Sequence, residues 1–215
     1  MPDFPHLLAF SLIALGMVLT PGPNMLYLLS RSISQGPAAG MISLGGVALG
    51  FVFYMVCAAL GITALVMAVP YAYDALRIAG ALYLLYLAWQ AVRPGGSSPF
   101  ATVDAQSRRL RHDSPRRLFL MGLFTNLLNP KAAVLYLSLL PQFIEPGRGS
   151  VLAQSLALGF TQIAISVAVN ALLVLMAGTI AAFLAGRPLW VQWQRWLMGG
   201  VLGALALRMA TDARR

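Results

Sequence analysis

Two long stretches of this chain carry no charge: no Asp, Glu, Lys or Arg occurs from Ser32 to Tyr73 or from Gly149 to Gly186. Each exceeds the roughly 20 apolar residues that carry a helix across a bilayer. A compact soluble core does not bury helices of that length on every side, so the solvent for most of the chain is lipid. The composition agrees. The 215 residues are 59% hydrophobic and 10% charged, with a mean hydropathy of +0.77, where an ordinary soluble domain is about a quarter charged. The expectation is an all-α membrane protein.

Apolar windows and their breakers predict six transmembrane helices, near residues 5–30, 39–69, 72–92, 117–142, 150–184 and 190–210. The second and fifth are long enough to tilt. In the sixth, only Trp196 to Leu207 separates Arg195 from Arg208, so both ends would have to snorkel and a five-span arrangement stays open. Leu7 to Leu19 has the length of a signal-peptide core, but Asp3 stands where basic residues are expected and Pro21-Gly22-Pro23 leads into more apolar sequence. It reads as a retained first span. Residues 93–117 form a polar loop with Arg93, Arg108, Arg109, Arg111, Arg116 and Arg117 against Asp104 and Asp113. The positive-inside rule makes this loop cytoplasmic and the N-terminus outside. Arg208, Arg214 and Arg215 at the C-terminus sit awkwardly with six spans.

The net charge of +9 does not point to nucleic acid. The Lys and Arg residues edge apolar runs or fall in that one loop, without a groove-sized basic face, and their partner is the anionic bilayer surface. Cys57 is the single cysteine, so no disulfide framework or metal pair is expected, and nothing implies a cofactor.

Sliding the chain on itself by 109 residues aligns Ala48-Leu49-Gly50-Phe51 with Ala157-Leu158-Gly159-Phe160. The same ungapped register pairs Phe10 with Phe119, Leu19 with Leu128, Pro21 with Pro130, and Leu26-Tyr27-Leu28 with Leu135-Tyr136-Leu137. Gly80 meets Gly199 only after an insertion of about ten residues. Residues 1–92 and 118–215 therefore read as two copies of a three-helix unit around the 93–117 loop. A unit with an odd number of crossings must insert upside down in its second copy, and inverted repeats characterise secondary transporters.

Thr20-Pro21-Gly22-Pro23-Asn24 interrupts the first span and Asn129-Pro130-Lys131 interrupts the fourth. Prolines remove backbone donors, so helices 1 and 4 must break or kink there. Thr20 before Pro21 and Asn129 before Pro130 each read as an N-cap followed by proline at the first helical position. A half-helix starting inside the membrane offers free N–H groups and the positive end of its dipole to an anion such as a carboxylate. Irregular backbone at that depth is tolerated only when buried in protein or lining a wet cavity. Lys131 adds a full charge at a cost of about 2.5 to 3.5 kcal/mol and is a functional candidate for that reason; the alternative is that the prolines only kink packed helices while Lys131 binds the carbonyls they expose. Asn24, Asn126, Gln162 and Asn170 either orient a solute or bond a neighbouring helix. Tyr27 and Tyr136, equivalent in the two copies, either line the cavity or pack. Gly46 with Gly50, and Gly199 with Gly203, have small-xxx-small spacing that serves packing within one chain or a homodimer equally well.

On these residues the chain resembles the LysE/RhtB family of amino-acid exporters. Thr20-Pro21-Gly22-Pro23-Asn24 is similar to that family's PGP break, and Asn126-Leu127-Leu128-Asn129-Pro130-Lys131 followed by Pro141-Gln142-Phe143 is similar to its NLxNPK and PQF signatures. The resemblance covers essentially the whole chain. It implies efflux of an amino acid or close derivative from the cytoplasm across a bacterial inner membrane, driven by protons. The apolar surroundings favour a neutral solute. Where some members carry an aspartate after the glycine of span two, this chain has Phe51, which leaves Asp74 and Lys131 as candidates for a coupling proton.

Other classes fit less well. His6 and His112 fall outside the spans and no Gly-x-Ser-x-Gly elbow or intramembrane acidic pair occurs, so an enzyme is not expected. A divalent-cation exporter would need ligands that the cationic break region lacks. A membrane scaffold would need no polar break at mid-membrane.

Overall fold

The computed structural model describes residues 3–68 and 113–179, with further single positions between 78 and 92 and between 193 and 207. Every described element is helical. Helix α1 (Phe4–Leu19) is capped by the Asp3 carboxylate, which accepts from the His6 backbone N–H at 3.0 Å. A residue preceding proline is driven out of the helical region. Thr20 before Pro21 (φ −70°, ψ 124°) and Gly22 before Pro23 (φ −160°, ψ 177°) are accordingly extended, and helix resumes only with α2 (Pro23–Gln35), bent 53° from α1. This corrects the expectation that Thr20 caps a helix starting at Pro21. Thr20 instead closes α1, its hydroxyl donating back to the Gly16 carbonyl at 2.8 Å, and Gly22 holds the N-cap position.

Gly36 ends α2 at φ 88°, a backbone state open to glycine, and Pro37 starts α3 (Pro37–Ala68). After Asp113, the Ser114 hydroxyl caps α4 (Pro115–Leu127) by accepting from the Arg117 N–H at 3.4 Å. Asn129 is extended before Pro130 and caps α5 (Pro130–Val134) as expected, its side chain accepting from the Lys131 N–H at 3.0 Å. Pro141 has no N–H to return to Leu137, so the regular ladder cannot continue. The chain passes through a π turn (Leu135–Leu139) and a 3-10 turn (Leu140–Phe143) instead. The run Pro130–Phe143 is bent 51° from α4, nearly matching the first break. Helix α6 (Val151–Leu175) follows, capped by Ser150.

The 25-residue stretches Pro37–Gly61 and Val151–Leu175 are long and apolar enough to span a bilayer. At 1.5 Å per residue each is about 37 Å long, against a hydrocarbon core of roughly 30 Å. If each bent pair forms one span, the described residues hold up to four spans. The expected third and sixth spans, Asp74, Gly80, Gly199, most of the 93–117 loop and the C-terminus lie largely or wholly outside the described residues. The single described positions in those two spans are helical.

Contacts at the helix ends set the two bent pairs antiparallel. Arg31 near the end of α2 meets Asp113 just ahead of α4 at 2.5 Å, while His6 in the first turn of α1 meets Glu145 beyond the 3-10 turn at 2.9 Å. Between them, α3 crosses α4 at backbone contact. A methyl on Gly46 would fall 1.9 Å from the Phe119 carbonyl oxygen, and one on Gly122 would fall 2.2 Å from that of Ser43. Small residues permit this approach, the use within one chain that the Gly46 spacing allowed. The core gathers Phe10, Met17, Leu28, Val47, Phe51, Tyr136 and Phe143, with Phe10 edge-on to Phe143 at 5.3 Å. Phe53, Leu60, Phe160 and Leu172 point outward and are more than half exposed, as suits a lipid-facing surface.

Candidate functional site: a cavity between the two breaks

The two interruptions meet. Lys131, in the first turn of α5, reaches across and donates from Nζ to the Thr20 carbonyl oxygen at 2.6 Å. That carbonyl is free because its helical partner would be the Asn24 N–H, which the extended Thr20 and Gly22 carry away, while Pro23, three residues on, has no N–H to offer. Gly22 leaves the space for the lysine stem: a Cβ there would lie 3.3 Å from Lys131 Cδ and 3.5 Å from Nζ.

Around this contact lies a cavity of about 40 Å³. Its walls come from the end of α1 (Met17, Val18, Thr20), from Gly22, Asn24 and Met25, from Phe51 of α3, from Asn129, Lys131, Ala132 and Leu135, and from Gln162, Ser166 and Asn170 of α6. A water needs about 10–15 Å³, so the space holds a few waters and is closed to a solute of amino-acid size. Among the described residues, Lys131 is the only charged one in the lining.

Of the candidates read from the sequence, Thr20, Gly22, Asn24, Asn129 and Lys131 line this cavity. Pro21, Pro23 and Pro130 shape the breaks without lining it, and Pro23 faces a separate groove along the outside of α4. Asn24 is 7% exposed and its Oδ1 has no hydrogen-bond partner. Asn126 is fully buried one turn before the break, packed on Gly50, with neither amide atom bonded. Both tyrosines pack. Tyr27 donates to the Leu118 carbonyl at 2.8 Å, far along α4 from the break, with its ring 5.5 Å from the Arg31 guanidinium. Tyr136 is wholly buried, stacks on Tyr54 at 6.0 Å and donates to Gln162 Oε1.

A polar stripe on α6 escaped full notice in the sequence. Gln162, Ser166 and Asn170 recur every fourth residue on one face of an otherwise apolar helix. Gln162 Nε2 donates to Ser166 Oγ at 2.7 Å and Asn170 Nδ2 to the Ser166 carbonyl at 2.8 Å. Gln162 and Asn170 stood out singly; their common face with Ser166 was the available signal. Positions that align in the sequence differ here. Phe51 is buried in the cavity wall, whereas its counterpart Phe160 is 59% exposed on the outer surface.

The model of the LysE type translocator family matches residues 15–213. The chain belongs to that family. This LysE-type chain is 33% identical over 184 residues to the homoserine/homoserine lactone efflux protein of Salmonella typhimurium, covering 85% of this chain and 84% of that protein. It is also 33% identical over 144 residues to the membrane protein YrhP of Bacillus subtilis, covering 65% and 68% of the two chains. No solved structure gives a significant match. Membership makes the chain a membrane transporter acting on a small molecule, and not an enzyme.

Proposed function

We propose that this LysE-type translocator exports a small neutral amino acid or close derivative from the cytoplasm, coupled to protons. In this reading six spans form two inverted three-helix units, residues 1–92 and 118–215. The 93–117 loop faces the cytoplasm of a bacterial cell and the N-terminus faces outside the inner membrane. The antiparallel bent pairs and their near-equal bends support the inversion. The relative whose name records homoserine and homoserine lactone efflux supports the solute class.

The observation that carries the reading is the Lys131 ammonium resting on the Thr20 carbonyl where the two breaks meet. A zwitterion can replace both ends of that contact. Its carboxylate takes the Lys131 ammonium, together with the first-turn N–H groups of α2 and of the run starting at Pro130. Its own ammonium then takes the vacated Thr20 carbonyl. Asn24 and Asn129 flank these two ends, and the Gln162–Ser166–Asn170 stripe faces the remaining atoms. No carboxylate lines the cavity among the described residues, which disfavours a dibasic solute. Pro21, Gly22, Pro23 and Pro130 serve by opening the backbone. Asn126, Tyr27 and Tyr136 act as support, while Lys131 and Asp74 stay the candidates for the coupling proton. Since the cavity of about 40 Å³ is too small for the solute, transport requires one bent pair to rock against the other.

The test compares efflux of homoserine with that of its lactone, which has an ammonium but no carboxylate. Lys131→Met, in protein shown to insert normally, is expected to cut homoserine efflux at least tenfold and lactone efflux far less. Equal efflux of homoserine by variant and parent would remove Lys131 from the mechanism.

A further inference from the structure

We propose that His6 senses the outside pH and, when protonated, holds the outer gate of the cavity shut. The proposal rests on the transporter reading and on the orientation given above. At the outer end, the start of α1 is tied to the turn before α6 by four side chains. His6 Nδ1 lies 2.5 Å from Asp3 Oδ1 and His6 Nε2 lies 2.9 Å from Glu145 Oε1. Both ring nitrogens therefore face carboxylate oxygens, which only accept. A neutral imidazole has one N–H and one lone pair, so only the imidazolium can donate to both. Arg148 completes the cluster, pairing with Asp3 and, through Nε, with Glu145 Oε2 at 2.6 Å.

The cluster is anchored to α6. Gln154 donates to the Glu145 carbonyl at 2.8 Å and accepts from the Glu145 N–H at 3.0 Å, so it moves with that turn. Among the described residues, Asp3, Glu145 and Arg148 are the charged groups facing His6. The hydrogen bonds from the His6 backbone and ring, with Arg148, hold the Asp3 carboxyl down at about 2. Asp3 therefore stays ionised across the range from pH 5 to 8, in which histidine ordinarily changes charge.

At the inner end, among the described residues, Asp113, 6% exposed at its side chain, takes Arg31 at 2.5 Å, Arg117 at 3.0 Å and Gln35 Nε2 at 2.9 Å. Because the bent pairs run antiparallel, each cluster ties the start of one to the end of the other. Opening the cavity toward either side breaks one tie and spares the other. His6 takes its proton from the outer water and returns it there, so it sets the stability of the closed outer gate without carrying charge across. Acid outside favours closure; rising pH leaves one carboxylate facing a lone pair and weakens it.

The experiment places one thiol in the cavity, Ser166→Cys with Cys57→Ser, and labels it from outside with a membrane-impermeant maleimide. Labelling of the parent relative to a His6→Gln derivative at the same pH cancels the thiol's own titration. That ratio is expected to rise several-fold from pH 5 to pH 8. Glu145→Gln with Arg148→Gln is expected to label fast at both. A ratio that does not change with pH, or slow labelling of the Glu145/Arg148 variant, overturns the proposal. Should Ser166→Cys fail to insert, Val18→Cys on the opposite wall is the probe. Labelling is read without transport, so a pH-dependent gate in a protein that exports nothing would refute the exporter reading and leave this one standing.

Discussion

The crossing of α3 and α4 makes a quantitative prediction. A methyl added at Gly46 would sit 1.9 Å from the Phe119 carbonyl oxygen and 2.8 Å from the Leu123 nitrogen, both backbone atoms that no rotamer change can move. Carbon and carbonyl oxygen ordinarily stay about 3.3–3.6 Å apart, so the helices must separate locally by roughly 1.4 Å. The separation also loosens groups that span this interface. The Phe119 ring lies 3.5 Å from a Cβ placed on Gly45, and Tyr54 donates to the Leu127 carbonyl at 2.7 Å. Overpacking costs typically 1–3 kcal/mol, and a backbone-to-backbone clash belongs at the upper end, about 3 kcal/mol. For a chain of this size that lowers the melting temperature by about 6–12 °C. The internal control is Gly61→Ala on the same helix, where nothing lies within 4 Å of the new methyl. It should gain about 0.4–1 kcal/mol. Melting of the two variants in detergent, followed by size-exclusion after heating, gives the comparison. If Gly46→Ala melts with the parent, the helices do not approach as described.

Three further outcomes follow from the same packing. Asp113→Asn removes the carboxylate that meets Arg31 in a site where the Arg31 side chain is 11% exposed, and loss of one partner of a buried pair costs about 3–5 kcal/mol; the exchange Arg31→Asp with Asp113→Arg should recover much of the lost melting temperature, and no recovery would argue against a specific pair. Asn129→Ala removes the cap on the Lys131 N–H, worth about 1 kcal/mol, and should lower homoserine efflux, while Asn129→Ser should restore both; equal efflux by Ala and Ser variants would contradict the positioning role. Asn126→Leu replaces a buried amide with no bonded atom and should stabilise the protein by about 1 kcal/mol or more; a lower melting temperature would show that the amide is bonded.

The breaks were legible because proline acts locally. The residue before a proline is biased out of the helical region by a local clash, and Thr20, Gly22 and Asn129 are all extended, although Leu140 before Pro141 stays helical. For the same reason Asn129 could be placed as a cap from sequence. The cap at Gly22 could not be placed as easily, because two prolines compete in one motif and the second sets where helix resumes. The apolar runs located α3 and α6 to within a few residues at their starts. Side-chain direction was not legible. Tyr27 and Tyr136 occupy matching places in the aligned sequence, yet the Tyr27 hydroxyl bonds the Leu118 carbonyl away from the cavity and the Tyr136 hydroxyl bonds Gln162 of its wall, neither ring lining it. Phe51 and Phe160 match in sequence and face core and exterior respectively. The aligned positions share local backbone chemistry more closely than side-chain surroundings, since each environment is set by neighbours that the alignment does not pair.

The central claim is that the solute's carboxylate replaces the Thr20 carbonyl as the partner of Lys131. Binding of radiolabelled homoserine to purified protein in proteoliposomes, parent against Lys131→Met, tests it most directly. The account predicts saturable binding by the parent and a loss of at least tenfold in affinity for the variant, with its fold intact by melting temperature. Equal affinity in the two proteins would contradict it.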